Sequence, residues 1–279
     1  PYIERDESWM YFNKRILLEA ARTDLPLLER FNYLGIYSNN LDEFFRVRVA
    51  SLRRIVGSLE PIPTHERRKA KETLRTIIRL NHEYSALFDR TFADLLQSLN
   101  EAHIHIINEQ ELTTDQEDEV LSFFMDKING ITNPIFINSP TFNPEQHLKE
   151  SLYLVVVLWH EQGEEELAHD VALLEVPTKE LGRFLRLRDK DGESYLMFLD
   201  DVLRYCLPYI FIGREYAQYE AYTFKFTKDA EFELEQDLRS SVIEMVSRGV
   251  KRRGRGEAVR VVYDEALSPE ILRRLSDMA

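Results

Sequence analysis

A chain of 279 residues with 44% hydrophobic and 30% charged residues has the apolar content for more than one core and a surface suited to water. Its net charge of −13 argues against a general nucleic-acid coat, and any polyanion handled here must meet a local basic patch against the global field. A single cysteine, Cys206, excludes an internal disulfide, and the longest apolar run, Leu152 to Trp159, is far too short to cross a bilayer. Pro1-Tyr2-Ile3-Glu4-Arg5 does not read as a signal peptide, and Pro1 in place of an initiator methionine suggests a trimmed chain. The expected location is cytoplasmic, peripheral attachment to a membrane included.

The first hundred residues read as helix. Ser8 is placed to cap a helix whose apolar positions Trp9, Phe12, Ile16, Leu17 and Ala20 recur at threes and fours. Thr23-Asp24-Leu25-Pro26 ends it, with Asp24 as the next cap and Pro26 in a first turn. A second helical region carries Leu27, Phe31, Leu34, Leu41, Phe44 and Phe45 and is expected to bend around Ser38-Asn39. Gly57 to Pro63 is a loop. Thr64 then opens a long helix with Leu74, Ile77, Tyr84, Phe88, Phe92, Leu95 and Leu99 on one stripe. An antiparallel helical bundle over residues 1–100 follows.

Strand signals begin after Ala102. Ile104 and Ile106 alternate with His103 and His105. Thr113 or Thr114 caps an acidic-fronted helix from Asp115 to about Lys127. Strands are predicted over Ile135–Ile137, Leu152–Trp159, Val171–Val176, Tyr195–Leu199, Tyr219–Phe226 and Val259–Tyr263. Helices are predicted over Asp200–Tyr205, Ala230–Lys251 and Ser268–Met278. Several links are too short for a crossover helix, so residues 101–279 form an α+β domain with a mostly antiparallel sheet. The fold class is therefore multi-domain, α followed by α+β.

The densest polar stretch is Tyr37-Ser38-Asn39-Asn40-Leu41-Asp42-Glu43-Phe44-Phe45-Arg46-Val47-Arg48. Asn39 or Asn40 could cap or kink a helix, or an amide there could read the edge of a ligand without adding charge. Arg46, Arg53 and Arg54 form one basic cluster, suited either to phosphate oxygens or to a solvated face. Lys251, Arg252, Arg253 and Arg255 follow Arg248 and interleave with Gly254 and Gly256. That run suits a basic helix end with a glycine cap, or contact with a polyanion or a neighbouring domain. None of the seven histidines has the cationic setting of a phosphoryl acceptor, and His103 with His105 lacks a visible third metal ligand. No P-loop, dinucleotide fingerprint or zinc motif is present, so no catalytic residue and no metal ligand is assigned.

The same stretch, with Ser8-Trp9-Met10-Tyr11-Phe12-Asn13 upstream, resembles the amino-terminal signature of the bacterial polyphosphate kinase family, which works through a phosphohistidine. Pro26–Arg30, Leu34–Phe44, Leu199–Tyr205 and Thr227–Glu231 look like further motifs of that family, in the same order. The resemblance implies a helical amino-terminal domain over the nucleotide site (1–100) and a head domain (101–279) that ends early. Two downstream domains related to phospholipase D would hold the phosphohistidine. It implies that Asn40 contacts ATP, with Asn39, Asp42 and Glu43 holding the turn, and that Arg46, Arg53, Lys251, Arg252, Arg253 and Arg255 are candidates for polyanion contact. ATP/ADP and inorganic polyphosphate are the implied partners, with Mg2+ accompanying ATP and no ligand for it identified here. A homo-oligomer built through the head is also implied, with no nucleic acid. The parent enzyme would transfer the terminal phosphate of ATP reversibly to polyphosphate, the segment alone being inactive. The alternative is a stand-alone interaction or dimerisation module without ligand.

Overall fold

The computed structural model describes residues 3–59, 61–140, 142–144, 148–160, 169–229 and 258–278. They fall into two compact units, one of residues 1–102 with 227–260 and one of residues 103–226 with 261–279. The first unit is therefore not one stretch of chain. Against a boundary expected at residue 100, it also takes in a later segment.

The first unit is helical. α1 (Arg5–Ala20) starts three residues before the predicted cap, because the Glu4 carboxylate accepts from the Asp6 N–H at 2.6 Å. Its buried face is Asp6, Met10, Asn13, Leu17 and Ala20, so Phe12, predicted to be buried, is 54% exposed. α2 (Leu27–Phe44) is capped by Pro26 and not by Asp24, which forms an ion pair with Arg22 at 2.6 Å. α2 runs straight through Ser38-Asn39. The departure from α geometry comes later, in a π turn over Phe45–Val49 that leads into α3 (Ala50–Gly57). α4 (Thr64–Glu101) buries Ile77, Tyr84, Leu95 and Leu99 of the predicted stripe, and Leu80 beside them. Of these, Ile77, Leu80, Tyr84 and Leu95 pack with Leu17, Leu34, Leu41, Phe44 and Val49 in one core, which Val259 joins from the later segment.

The strands lie mostly in the second unit, with Thr227–Lys228 and Ala258–Arg260 counted in the first. β1 (Ile104–Ile107), β5 (Phe184–Lys190) and β6 (Glu193–Phe198) form a three-stranded sheet ordered β1-β6-β5. β2 (Ile135–Phe136), β3 (Leu152–His160), β4 (His169–Glu175), β7 (Tyr216–Lys228) and β8 (Ala258–Tyr263) belong to a five-stranded sheet ordered β2-β4-β3-β7-β8. The β2–β4, β3–β4, β3–β7 and β5–β6 ladders are antiparallel, and β1 lies parallel to β6. β5, which was not predicted, turns into β6 through Asp191 (φ 55°) and Gly192 (φ 85°), the left-handed pair that a tight hairpin requires. Helix α5 (Thr114–Phe123) has Thr113 and Gln116 in a capping box and ends in a π turn over Phe124–Ile128. Short helices α6 (Thr178–Leu181) and α8 (Leu207–Ile210) were not predicted. α7 (Leu199–Tyr205) and α9 (Pro269–Met278) match expectation. The helix predicted over 230–251 lies outside the described residues. No helix among the described residues is long and apolar enough to cross a membrane.

α7 carries a buried charge network. Asp200 and Asp201 are 5% and 9% exposed. Arg204 ion-pairs with Asp201, lies 3.6 Å from Asp200, and donates to Thr223 Oγ1 at 2.7 Å and to the Ala221 carbonyl at 3.3 Å. Arg183 Nη1 approaches Asp200 Oδ1 to 2.6 Å without hydrogen-bond alignment, so that contact is ionic only. Burial, and next the Asp200 charge, push the Asp201 carboxyl up to about 6 although Arg204 pulls it down.

Candidate functional site

α1 and α2 meet along an antiparallel seam with three rungs. Asn40 Nδ2 donates to Asn13 Oδ1 at 3.3 Å, and Asn13 Nδ2 donates to the Tyr37 carbonyl at 3.2 Å. One turn along, the Trp9 and Phe44 rings stack with centroids 4.0 Å apart and planes 2° from parallel. At the third rung Arg48 makes a two-pronged bond to Asp6, at 2.9 and 3.0 Å. The spacing explains the order: 13, 9 and 6 on α1 face 40 and 44 on α2 and 48 in the π turn that continues it.

Each polar group on the seam is held by the next. Asn13 is 1% exposed and Asp6 3%, so both need their partners. Asn40 is only half-buried. Among the described residues its Oδ1 takes no hydrogen bond, which leaves an acceptor beside the surface. A cleft of about 470 Å³ opens on the same seam between Arg5, Ser8, Trp9, Phe12, Phe44 and Arg48.

The other candidates separate. Asn39 is exposed. Asp42 ion-pairs with Arg260, whose guanidinium also lies over the Phe45 ring at 5.7 Å. Glu43 and Arg46 are 3.7 Å apart on the surface. Arg53 Nη1 donates to the Ala258 carbonyl at 3.0 Å, and Arg54 ion-pairs with Asp229. Asp42, Arg53 and Arg54 thus tie α2 and α3 to the later segment of their own unit. Lys251, Arg252, Arg253 and Arg255 lie outside the described residues.

Three of the histidines, His103, His105 and His160, face carboxylates at hydrogen-bond distance. His103 Nδ1 and His105 Nε2 meet the two oxygens of Glu193 at 2.8 and 2.5 Å, and together they hold that carboxyl below its usual range. His160 lies 3.2 Å from Asp170, which also accepts from the Tyr216 hydroxyl at 2.8 Å. His147 is outside the described residues. Among the described residues no group of three or more His, Cys, Asp or Glu side chains could hold a metal ion.

Sequence reasoning did not single out Asn13 as a site residue, although it stands in the signature stretch, because its pairing with Asn40 is tertiary. Nor could it find the Asp6–Arg48 bridge, which joins the start of α1 to the π turn.

Comparison with known proteins gives a consistent picture. Residues 2–107 match the family model described as "Polyphosphate kinase N-terminal domain", and residues 115–279 the one described as "Polyphosphate kinase middle domain". A polyphosphate kinase of Yersinia pestis is 34% identical over 98% of this chain and 39% of its own length. One of Salmonella typhimurium is 36% identical over 94% of this chain and 38% of its own. The crystal structure of polyphosphate kinase from Porphyromonas gingivalis superposes with a TM-score of 0.74 at 28% identity, covering 99% of this chain and 37% of that one. The chain therefore spans about two fifths of the length of the curated relatives it matches.

Proposed function

Because the chain belongs to the polyphosphate kinase family, we propose that it does the work of the amino-terminal and middle domains in an enzyme that moves the terminal phosphate of ATP reversibly onto polyphosphate. In this reading residues 1–100 cover the nucleotide and residues 101–279 act as a head that builds subunit contacts. Asn40 contacts the nucleotide. The observation that carries the reading is the Asn13–Asn40 rung. The buried amide of Asn13 fixes the orientation of Asn40 and leaves the Asn40 carbonyl oxygen available to accept from an exocyclic amino group or a ribose hydroxyl. The nucleophilic histidine is assigned outside this chain, a reading supported by the pairing of His103, His105 and His160 to carboxylates. Mg2+ is assigned to the phosphates of ATP.

A contact to base or sugar is the same in ground and transition states, so its loss acts on binding. In the complete enzyme, Asn40→Ala is expected to raise the KM for ATP a few-fold, as the loss of one neutral hydrogen bond of about 0.5–1.5 kcal/mol does, with kcat little changed. Steady-state kinetics on a variant of normal thermal stability checks this. Unchanged KM returns Asn40 to a purely structural role.

The basic run Lys251, Arg252, Arg253 and Arg255 is assigned to polyphosphate. Replacing all four with glutamine is expected to weaken polymer binding and flatten its salt dependence while ATP binding changes less. Titrations at two salt concentrations read both. Loss of thermal stability with intact polymer affinity identifies the run as a helix cap or docking element.

A further inference from the structure

We infer that the solvent face of α4 is a docking track for linear inorganic polyphosphate, distinct from the run at residues 251–255. The inference rests on the reading above for the identity of the polymer. Arg68, Lys71, Arg75, Arg79 and His82 follow one another at steps of three and four, so they fall in one stripe along the helix. All five are exposed, and the stripe lies on the side opposite the buried Ala70, Ile77 and Tyr84. Six cations and one carboxylate stand between Arg67 and Arg79, in a chain with 49 acidic and 36 basic residues.

A helix face that meets only water usually interleaves its charges. Here Lys71, Arg75 and Arg79 stand four apart, the spacing at which like charges repel and weaken a helix. Arg68 and Arg79 approach Glu72 and Glu83 only to 4.0 and 3.9 Å, and Glu83 is held more closely by Lys14, at 3.1 Å. Among the described residues no carboxylate lies within ion-pair distance of Lys71 or Arg75. A bound polyanion offsets that repulsion, with guanidinium and ammonium groups one turn apart meeting successive phosphate oxygens. From Arg68 to His82 the track runs about 21 Å, at about 1.5 Å per residue. That is longer than the triphosphate of one nucleotide, and it suits a polymer whose charge recurs without a break. Polymer held there stays near the enzyme between reactions, because tethering raises its local concentration.

The test is binding of long-chain polyphosphate to this chain at several salt concentrations. Replacing Arg68, Lys71, Arg75 and Arg79 with glutamine is expected to weaken binding about tenfold or more at low salt and to lower the salt slope by about 3. Tripolyphosphate, too short for the track, should lose little. Glutamine is a good helix former and the changes relieve like-charge contacts, so the unfolding temperature should hold or rise. If the fourfold variant unfolds early, Lys71→Gln with Arg75→Gln decides, and should show part of each binding effect. The same replacement of Lys251, Arg252, Arg253 and Arg255 is measured beside it. If that change weakens the polymer and the α4 change does not, this inference is overturned and the assignment of the run stands. If only the α4 change acts, the inference holds and the assignment of the run fails. If neither acts, or the chain binds no polyphosphate, both are overturned. An oligodeoxynucleotide of equal charge spaces its phosphates more widely and should bind less tightly. Equal or tighter binding would make the stripe a nucleic-acid track and overturn the assignment to polyphosphate.

Discussion

Arg204→Ala is expected to lower the unfolding free energy of the second unit by about 3–5 kcal/mol, the usual cost of leaving buried charge without its partner. Arg204 is the one side chain that reaches Asp201, Asp200, Thr223 and the Ala221 carbonyl together. Without it Asp201 is left with the like charges of Asp200 and Glu109, and Arg183 is the remaining cation beside Asp200. For a unit of this size the midpoint of thermal unfolding should fall by roughly 10 °C. Replacing the pair together, Asp201→Asn with Arg204→Met, should recover much of the loss, because an apolar substitute leaves no orphaned charge. Urea unfolding of the three proteins checks this. A loss under about 1 kcal/mol for the single variant would place the network at the solvent-screened end of ion pairs.

The same network should make stability fall as pH rises from about 4 to about 7. Asp201 is pushed up to about 6 in the folded chain, above the ordinary value near 3.9, so folding takes up a proton in that window. The sign follows from that uptake. The stabilisation from this group is complete below about pH 4 and is lost as pH passes through 6, an effect of about 2–3 kcal/mol. Glu193 works in the opposite sense. Its carboxyl is held down by His105 and His103, so its contribution is present above the usual carboxylate range and lost on acidification. Other carboxylates titrate across the same range, so the informative quantity is the difference between the parent chain and Asp201→Asn. That difference should narrow as pH falls towards 4, where the parent Asp201 is itself neutral. A difference independent of pH would sink the assignment.

What the sequence makes legible follows from the kind of force involved. The stripe Ile77, Tyr84, Leu95, Leu99 is plain because apolar spacing alone decides which face of α4 is buried. The face of α1 is misread at Phe12 because the buried positions include Asp6 and Asn13, whose burial depends on partners in α2 and the π turn. β5 escapes notice because Arg186, Arg188 and Lys190 mask the alternation of Leu185 and Leu187. The π turn at Phe45–Val49 has no marker such as glycine or proline, so the bend is expected at the asparagines instead. At the candidate site, Asn40 stands out by composition and resemblance. The pairing of Asp42 with Arg260, across 218 positions, has no local signal at all.

That pairing bears on how the protein is made. α1 to α4 leave the ribosome first, yet Val259, the Asp42–Arg260 and Arg54–Asp229 ion pairs, and the Arg53 bond to Ala258 all depend on chain synthesised much later. At about 5–20 residues per second the bundle waits roughly 8–30 seconds for its last parts. During that interval, part of the face that Val259 will cover is open to water, to chaperones and to other nascent chains. A truncation at residue 102 makes that waiting state permanent. Such a piece should be less soluble than a piece that ends beyond residue 260.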